Sequence, residues 1–196
     1  SGSTGQYLIA TSSWIFIVRI ISIFGTDAVA GYTIAFRILI FSLLPAWGIA
    51  NAASTLVGQN LGAGQPERAE RTVWLTSRYN VIFLALVAVI YFVLSRPIVL
   101  LFMDDAEVVY YAIISLRIMC LGYIAFSYGM GISQAFNGAG DTRTPTIVNL
   151  IFFWFLQIPL AYLFAVSMGY EVVGVFVAIA LSESLMAIAF VWLFKK

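Results

Sequence analysis

Six long apolar stretches separated by short polar loops occupy nearly the whole chain, over about residues 7–24, 28–61, 67–94, 107–136, 145–168 and 172–194. A helix crossing a hydrocarbon core of about 30 Å needs roughly 20 mostly apolar residues, and each stretch approaches or exceeds that length. The first is interrupted by Arg19 and closed by Gly25, and the third stops at Arg96-Pro97. The second is long enough to tilt or protrude. The runs are continuous and lack alternation with a period of two, which favours helices over barrel strands. The predicted fold is all-α, a polytopic membrane protein built as a bundle of six transmembrane helices over 7–194. Residues 1–6 are polar and read as an N-terminal linker or a cloning scar. Pro45 and Pro159 fall inside spans and should free the carbonyls of Phe41 and Phe155, kinking each helix.

Composition agrees. The chain has 196 residues, 62% hydrophobic and 10% charged, against roughly 45–50% and about 25% in soluble proteins. One soluble core of this size could not hide so much apolar surface. A net charge of +1 gives no basis for nucleic-acid binding. Cys120 is the only cysteine and there is no histidine, so no disulfide within the chain, no cysteine–histidine metal site and no Ser-His-Asp triad can form. No Walker-type loop is present either. The expectation is a protein that is not an enzyme and carries no cofactor or resident metal. The start lacks the basic n-region of a cleavable signal peptide.

The loops repeat a pattern. Val57-Gly58-Gln59-Asn60-Leu61-Gly62-Ala63-Gly64 leads into Pro66-Glu67-Arg68-Ala69, and Asn137-Gly138-Ala139-Gly140-Asp141-Thr142 leads into Pro145. Gly62 and Gly64 suit a left-handed helix end. Pro66 suits a first helical turn, with Glu67 at its positive end. Thr144 and Pro145 read as an N-cap and first helical residue. With six spans, both loops and both termini share one side, which collects Arg68, Arg71, Arg78, Arg143, Lys195 and Lys196. The opposite side has the single base Arg96 among Asp27, Asp104, Asp105, Glu107 and Glu171. Basic loops mark the cytoplasmic face, so both termini are expected there.

Four ionisable residues interrupt the spans: Arg19, Arg37, Arg117 and Glu183. Such groups face a bundle interior or water when they cannot reach the interface. Arg19 lies close enough to its helix end to snorkel. Arg37 and Arg117 are deeper and call for an internal partner or a wet cavity. Glu183, near the middle of the sixth span, is either an ion- or proton-linked site or a packing carboxyl; its own helical neighbours are apolar. Polar stripes accompany them. Tyr123, Ser127, Met130, Gln134 and Asn137 share a helix face, Arg37, Leu44 and Asn51 repeat at seven, and Asn149, Phe153 and Gln157 are four apart. They form either a shared amphiphilic cavity or hydrogen-bond glue worth about 0.6 kcal/mol per contact. The candidate substrate-cavity or ion-coupling residues are Arg37, Asn51, Tyr123, Gln134, Asn149 and Glu183. Gly129 and Gly131 lie on other faces and permit close packing.

The paired loops, set between six spans, resemble the cytoplasmic loops of the MATE (multidrug and toxic compound extrusion) transporters, and the resemblance covers about Tyr7 to Phe194. It implies the C-terminal six-helix lobe of a twelve-helix antiporter that exchanges protons or sodium for small organic, often cationic, compounds in a bacterial or archaeal inner or plasma membrane. The implied partners are the lipid bilayer and either a missing N-terminal lobe or a second copy in a parallel homodimer, since lobes with an even number of spans insert alike. Sodium-linked members carry carboxylates in their seventh and tenth helices. Here Ala10, Ser12 and Ser13, and Tyr123, Ser127 and Tyr128, offer none. The departure argues against a sodium site in this lobe and puts a proton-coupled parent's acid in the other lobe. A lobe of a related lipid-linked saccharide flippase, suited by the three arginines, and a non-transporting half-transporter fragment are the alternatives.

Overall fold

The computed structural model describes residues 2–195. Ser1 of the expected linker and Lys196 of the basic side lie outside the described residues. The chain is helical nearly throughout: α1 (Gly2–Ile21), a 3-10 turn (Ser22–Phe24), α2 (Thr26–Gly62), α3 (Pro66–Val93), the short α4 (Ser95–Leu100), α5 (Ala106–Leu121), α6 (Tyr123–Gly138), α7 (Arg143–Ser167) and α8 (Glu171–Phe194). Five of these are long and apolar enough to cross a membrane, and the bent pair α5 and α6 makes a sixth span. Large apolar side chains such as Leu86, Leu101 and Phe155 point outward, as lipid-facing residues do.

Three expectations are corrected. First, α1 begins at Gly2, so Gln6 belongs to a helix and not to a linker. Second, the stretch 107–136 is not one helix: α5 and α6 are bent by 56° at Gly122. There the Gly122 amide donates to the Met119 carbonyl at 3.1 Å, a tight turn in place of the α-helical bond. A side chain on Gly122 would touch Ala180 of α8 at 3.5 Å, so the break also brings α6 close against α8. Third, Asp141, not Thr144, caps α7. Its Oδ1 accepts from the amides of Arg143 and Thr144, each at 3.1 Å, and the Thr144 hydroxyl donates to Oδ2 at 2.5 Å. A carboxylate meets two free amides and the positive helix end together, which a threonine cannot. These bonds hold the Asp141 carboxyl below its ordinary range, the Thr144 hydroxyl contributing most.

The prolines act differently from each other. α2 stays helical through Pro45. Around Pro159, α7 widens into π-helical segments, Ile151–Gln157 and Leu163–Ser167. Wider turns are one way a helix absorbs a residue with no N–H.

The repeated loops are near copies in geometry. Gln65 N–H bonds Asn60 O at 2.9 Å and Asp141 N–H bonds Phe136 O at 3.0 Å, closing the same left-handed helix end. The left-handed residues are Gly64 (φ +69) and Gly140 (φ +86); Gly62 remains in the helix. Pro66 opens α3 as expected. The two loops meet. A Cβ on Gly138 would lie 2.8 Å from the Ser54 backbone of α2, and one on Gly58 would lie 3.1 Å from the Gly138 carbonyl oxygen. Gly129 and Gly131 likewise admit Ala187 of α8 and Ser77 of α3.

Both loops and the two described chain ends gather at one end of the bundle. Gln6 bonds Asn137 at 3.0 Å, and Lys195 lies over the Trp74 ring at 6.0 Å. The buried interior forms layers along the bundle, centred on Ile21 and Phe176, on Leu39, Leu84 and Leu116, and on Val73, Ile132 and Phe190.

Candidate functional site

At the end of the bundle that carries the loops, α1, α2, α6, α7 and α8 enclose a cavity of about 480 Å³. Its polar wall is made of amides: Asn51 from α2, Gln134 and Asn137 from α6, Asn149 from α7 and Gln6 from α1. Its apolar wall is aromatic and thioether, with Trp47, Phe126, Phe153 and Phe190 beside Met130 and Met186. Only the loop-end members of the three stripes therefore converge: Asn51, then Met130, Gln134 and Asn137, then Asn149 and Phe153. The helical period accounts for each: residues three and four apart share a face, and the faces of α2, α6 and α7 turn inward here.

Part of the amide wall is tied together. Asn137 Nδ2 donates to Gln134 Oε1 at 3.2 Å and to Gln6 Oε1 at 3.4 Å, and Gln6 Nε2 donates to Asn137 Oδ1 at 3.0 Å. Gln6 was invisible to sequence reasoning because it stood in the polar start. The side chains of Asn51 and Asn149 make no hydrogen bond to other described residues and remain available to a ligand. No carboxylate, lysine or arginine stands among the described lining residues.

Three of the six candidate residues, Asn51, Gln134 and Asn149, line this cavity, and the other three do not. Arg37 lines a separate cavity of about 460 Å³ with Trp14, Tyr32 and Phe36. Tyr123 is buried, its hydroxyl 3.1 Å from Ser42 Oγ and donating to the Leu39 carbonyl at 3.4 Å. Glu183 lies on α8 one helical turn from Met186, deeper than the cavity, on the face that carries Met186 and Phe190. Tyr123 stands in the same relation to Phe126 on α6. Glu183 is within electrostatic reach of the Tyr32 and Tyr123 hydroxyls. Neither hydroxyl hydrogen-bonds it, the Tyr123 hydroxyl being turned to Ser42 and Leu39. Tyr32 is held in place: the Trp14 indole donates to its hydroxyl, and its ring stacks on Phe176 at 5.9 Å.

The remaining arginines disperse. Arg117 Nε donates to Ser95 Oγ at 2.8 Å, and its guanidinium sits 5.4 Å from the centre of the Phe92 ring. That is the internal partner its depth called for. Arg19 lines an outer groove between α1 and α7 with Tyr162 and Pro159.

The MatE family profile matches residues 3–163, most of the chain. The chain belongs to the MATE family. Among MATE relatives it is 25% identical over 195 residues to YoeA, a probable multidrug resistance protein of Bacillus subtilis, covering 96% of this chain and 42% of that protein. The solved outward-facing structure of a multidrug resistance MATE transporter matches with a TM-score of 0.91 at 22% identity, covering 97% of this chain and 43% of that one. An inward-facing MATE structure matches at 0.87 with 21% identity, covering 97% and 44%. The fold is that of one six-helix MATE lobe in both cases. The chain spans less than half the length of the relatives it matches.

Proposed function

We propose that the chain forms one lobe of a secondary active multidrug efflux antiporter, in which an organic compound is exchanged for protons or sodium. The observation that carries this reading is the amide and aromatic cavity with Glu183 one helical turn beyond its inner end. The lobe rocks as a body against a partner lobe, opening the cavity to one side and then the other. Its likeness to both outward- and inward-facing structures supports rigid-body movement. The partner is the missing lobe or a second, parallel copy. Arg68, Arg71, Arg78, Arg143 and Lys195 at the loop end support placing that end in the cytoplasm.

Glu183 is the coupling group, and its charge is felt at Tyr32 and Tyr123. A carboxyl at this depth exchanges a proton when the lobe moves between dry and wetted positions. The flippase reading needs arginines converging on one cavity. Here Arg117 is engaged by Ser95 and Phe92, and Arg19 and Arg37 line separate spaces, so no observation favours it. Glu183→Gln is expected to lower the drug resistance conferred by the assembled transporter, and Glu183→Asp to restore part of it. Unchanged resistance with Glu183→Gln at equal expression refutes the coupling role.

A further inference from the structure

We propose that Arg71 and Arg78 hold the phosphate of an anionic membrane phospholipid against the outer face of α3. No described lining residue of the amide cavity comes from α3, so the site stands apart from the transport reading.

The two sides of α3 meet different solvents. Ser77, Asn80 and Leu84 are buried against the bundle. On the other side Leu75, Ile82, Val89 and Val93 lie exposed in one stripe, and Arg71 and Arg78 fall in the same stripe, also exposed. The apolar part, from Leu75 to Val93, measures about 27 Å at 1.5 Å per residue, close to the hydrocarbon thickness of about 30 Å. The exposed Arg96 follows at its far end. Leu75 therefore marks the edge of the hydrocarbon on the loop side.

Arg78 lies about 4.5 Å inside that edge, between Leu75 and Ile82. A charge at this depth requires a counter-charge. Helical side chains lean toward the N-terminus, which for α3 is the loop end, so Arg78 reaches back to the edge. Arg71 stands about 6 Å beyond Leu75, within a headgroup layer about 5–8 Å deep. One guanidinium approaches the phosphates from beneath and the other stands among them. Tyr79, exposed beside Arg78, is placed as interfacial aromatic residues are.

The chain itself supplies neither arginine with a partner. Neither is hydrogen-bonded or ion-paired to a described residue, whereas Arg117 is engaged by Ser95 and Phe92. Of the nearby acids, Glu70 points from another face and accepts from the Trp74 indole at 3.3 Å, and Glu67 lies one turn farther into solvent than Arg71. Arginine meets phosphate oxygens through two parallel bonds. In a zwitterionic lipid the headgroup cation competes for that phosphate, and in an anionic lipid nothing does, so the anionic lipid is favoured.

The test is native mass spectrometry of the chain in detergent with equimolar phosphatidylglycerol and phosphatidylcholine of matched acyl chains. Phosphatidylglycerol should be retained in preference. Arg71→Gln and Arg78→Gln should each lower that preference about fivefold, the worth of one basic residue at an anionic surface. Arg78→Lys should keep part of it. Arg143→Gln, exposed at the same end of the bundle but outside the stripe, should change it little. Inorganic phosphate in millimolar excess should not displace the lipid, because the apolar stripe also holds its acyl chains. The proposal is overturned if phosphatidylglycerol is not preferred, if Arg143→Gln costs as much as Arg78→Gln, which would mean diffuse attraction to the basic end, or if inorganic phosphate displaces the lipid, which would mean a site for free anions.

Discussion

Gly138→Ala is the sharpest test of how the lobe is held together. A methyl group at Gly138 would sit 2.8 Å from the Cα and carbonyl carbon of Ser54, and closer still to the Ser54 carbonyl oxygen. Ordinary contact is about 3.5 Å or more, so α2 and α6 would have to part by about 0.7 Å or further at this crossing. The obstacle is backbone, which cannot rotate aside. Overpacking of this kind typically costs about 1–3 kcal/mol, and the rigid neighbour argues for at least the middle of that range. At about 2–4 °C per kcal/mol for a chain of this length, the midpoint should fall by about 4–8 °C. The assay is thermal unfolding in detergent followed by intrinsic tryptophan fluorescence. Gly62→Ala is the control: Gly62 lies at the end of α2 with nothing within 4 Å of its added methyl, so its midpoint should not fall. Because Ser54 and Asn137 both line the cavity, Gly138→Ala should also weaken ligand binding there. Equal midpoints for the two variants would refute the crossing as a close-packed joint.

Two further outcomes follow from buried and capping groups. Asn80 is buried on α3 with neither end of its amide hydrogen-bonded to a described residue, and a stranded amide costs about 1–3 kcal/mol, so Asn80→Leu should raise the same melting midpoint; a clear fall would refute the assignment of Asn80 as unpaired. Asp141→Asn, which keeps an acceptor but removes the charge from the positive end of α7, should destabilise that helix start by up to about 1 kcal/mol near neutral pH, read as faster proteolysis in the loop. The Asp141 carboxyl is held low, so its contribution is present above the unfolded value of about 3.9 and is lost as pH falls through the folded one. The gap between wild type and variant should therefore close in acid, and a gap that widens in acid contradicts the capping geometry.

The spans were readable because lipid imposes one rule on every residue in them. Continuous apolarity set the limits of α2, α3 and α8 to within a residue or two. The break at Gly122 was not readable, since the turn depends on what α6 packs against and Ala180 is distant in sequence. The cavity was half readable. Asn51, Gln134 and Asn149 converge because each lies on the inward face near the same end of its helix. Arg37 shares a seven-residue repeat with Asn51, yet the two stand about 21 Å apart along α2 at 1.5 Å per residue, so a common face does not give a common depth. Tyr123 belongs to the right stripe but starts α6 beside Ser42, below the cavity. Glu183 looked solitary on its own helix, and no described side chain hydrogen-bonds it; Tyr32 and Tyr123 feel only its charge.

The crossing of the ends of α2 and α6 has a consequence for how such chains diverge. Gly58 and Gly138 face backbone atoms across the crossing, so neither can be compensated by shrinking a side chain on the other. A drift at one position cannot be rescued by its counterpart. The two motifs, far apart in sequence, must be inherited together, and grafting one loop from a relative whose crossing is spaced differently should fail even where every apolar span is compatible. Similarity between the loops then reflects a shared mechanical joint.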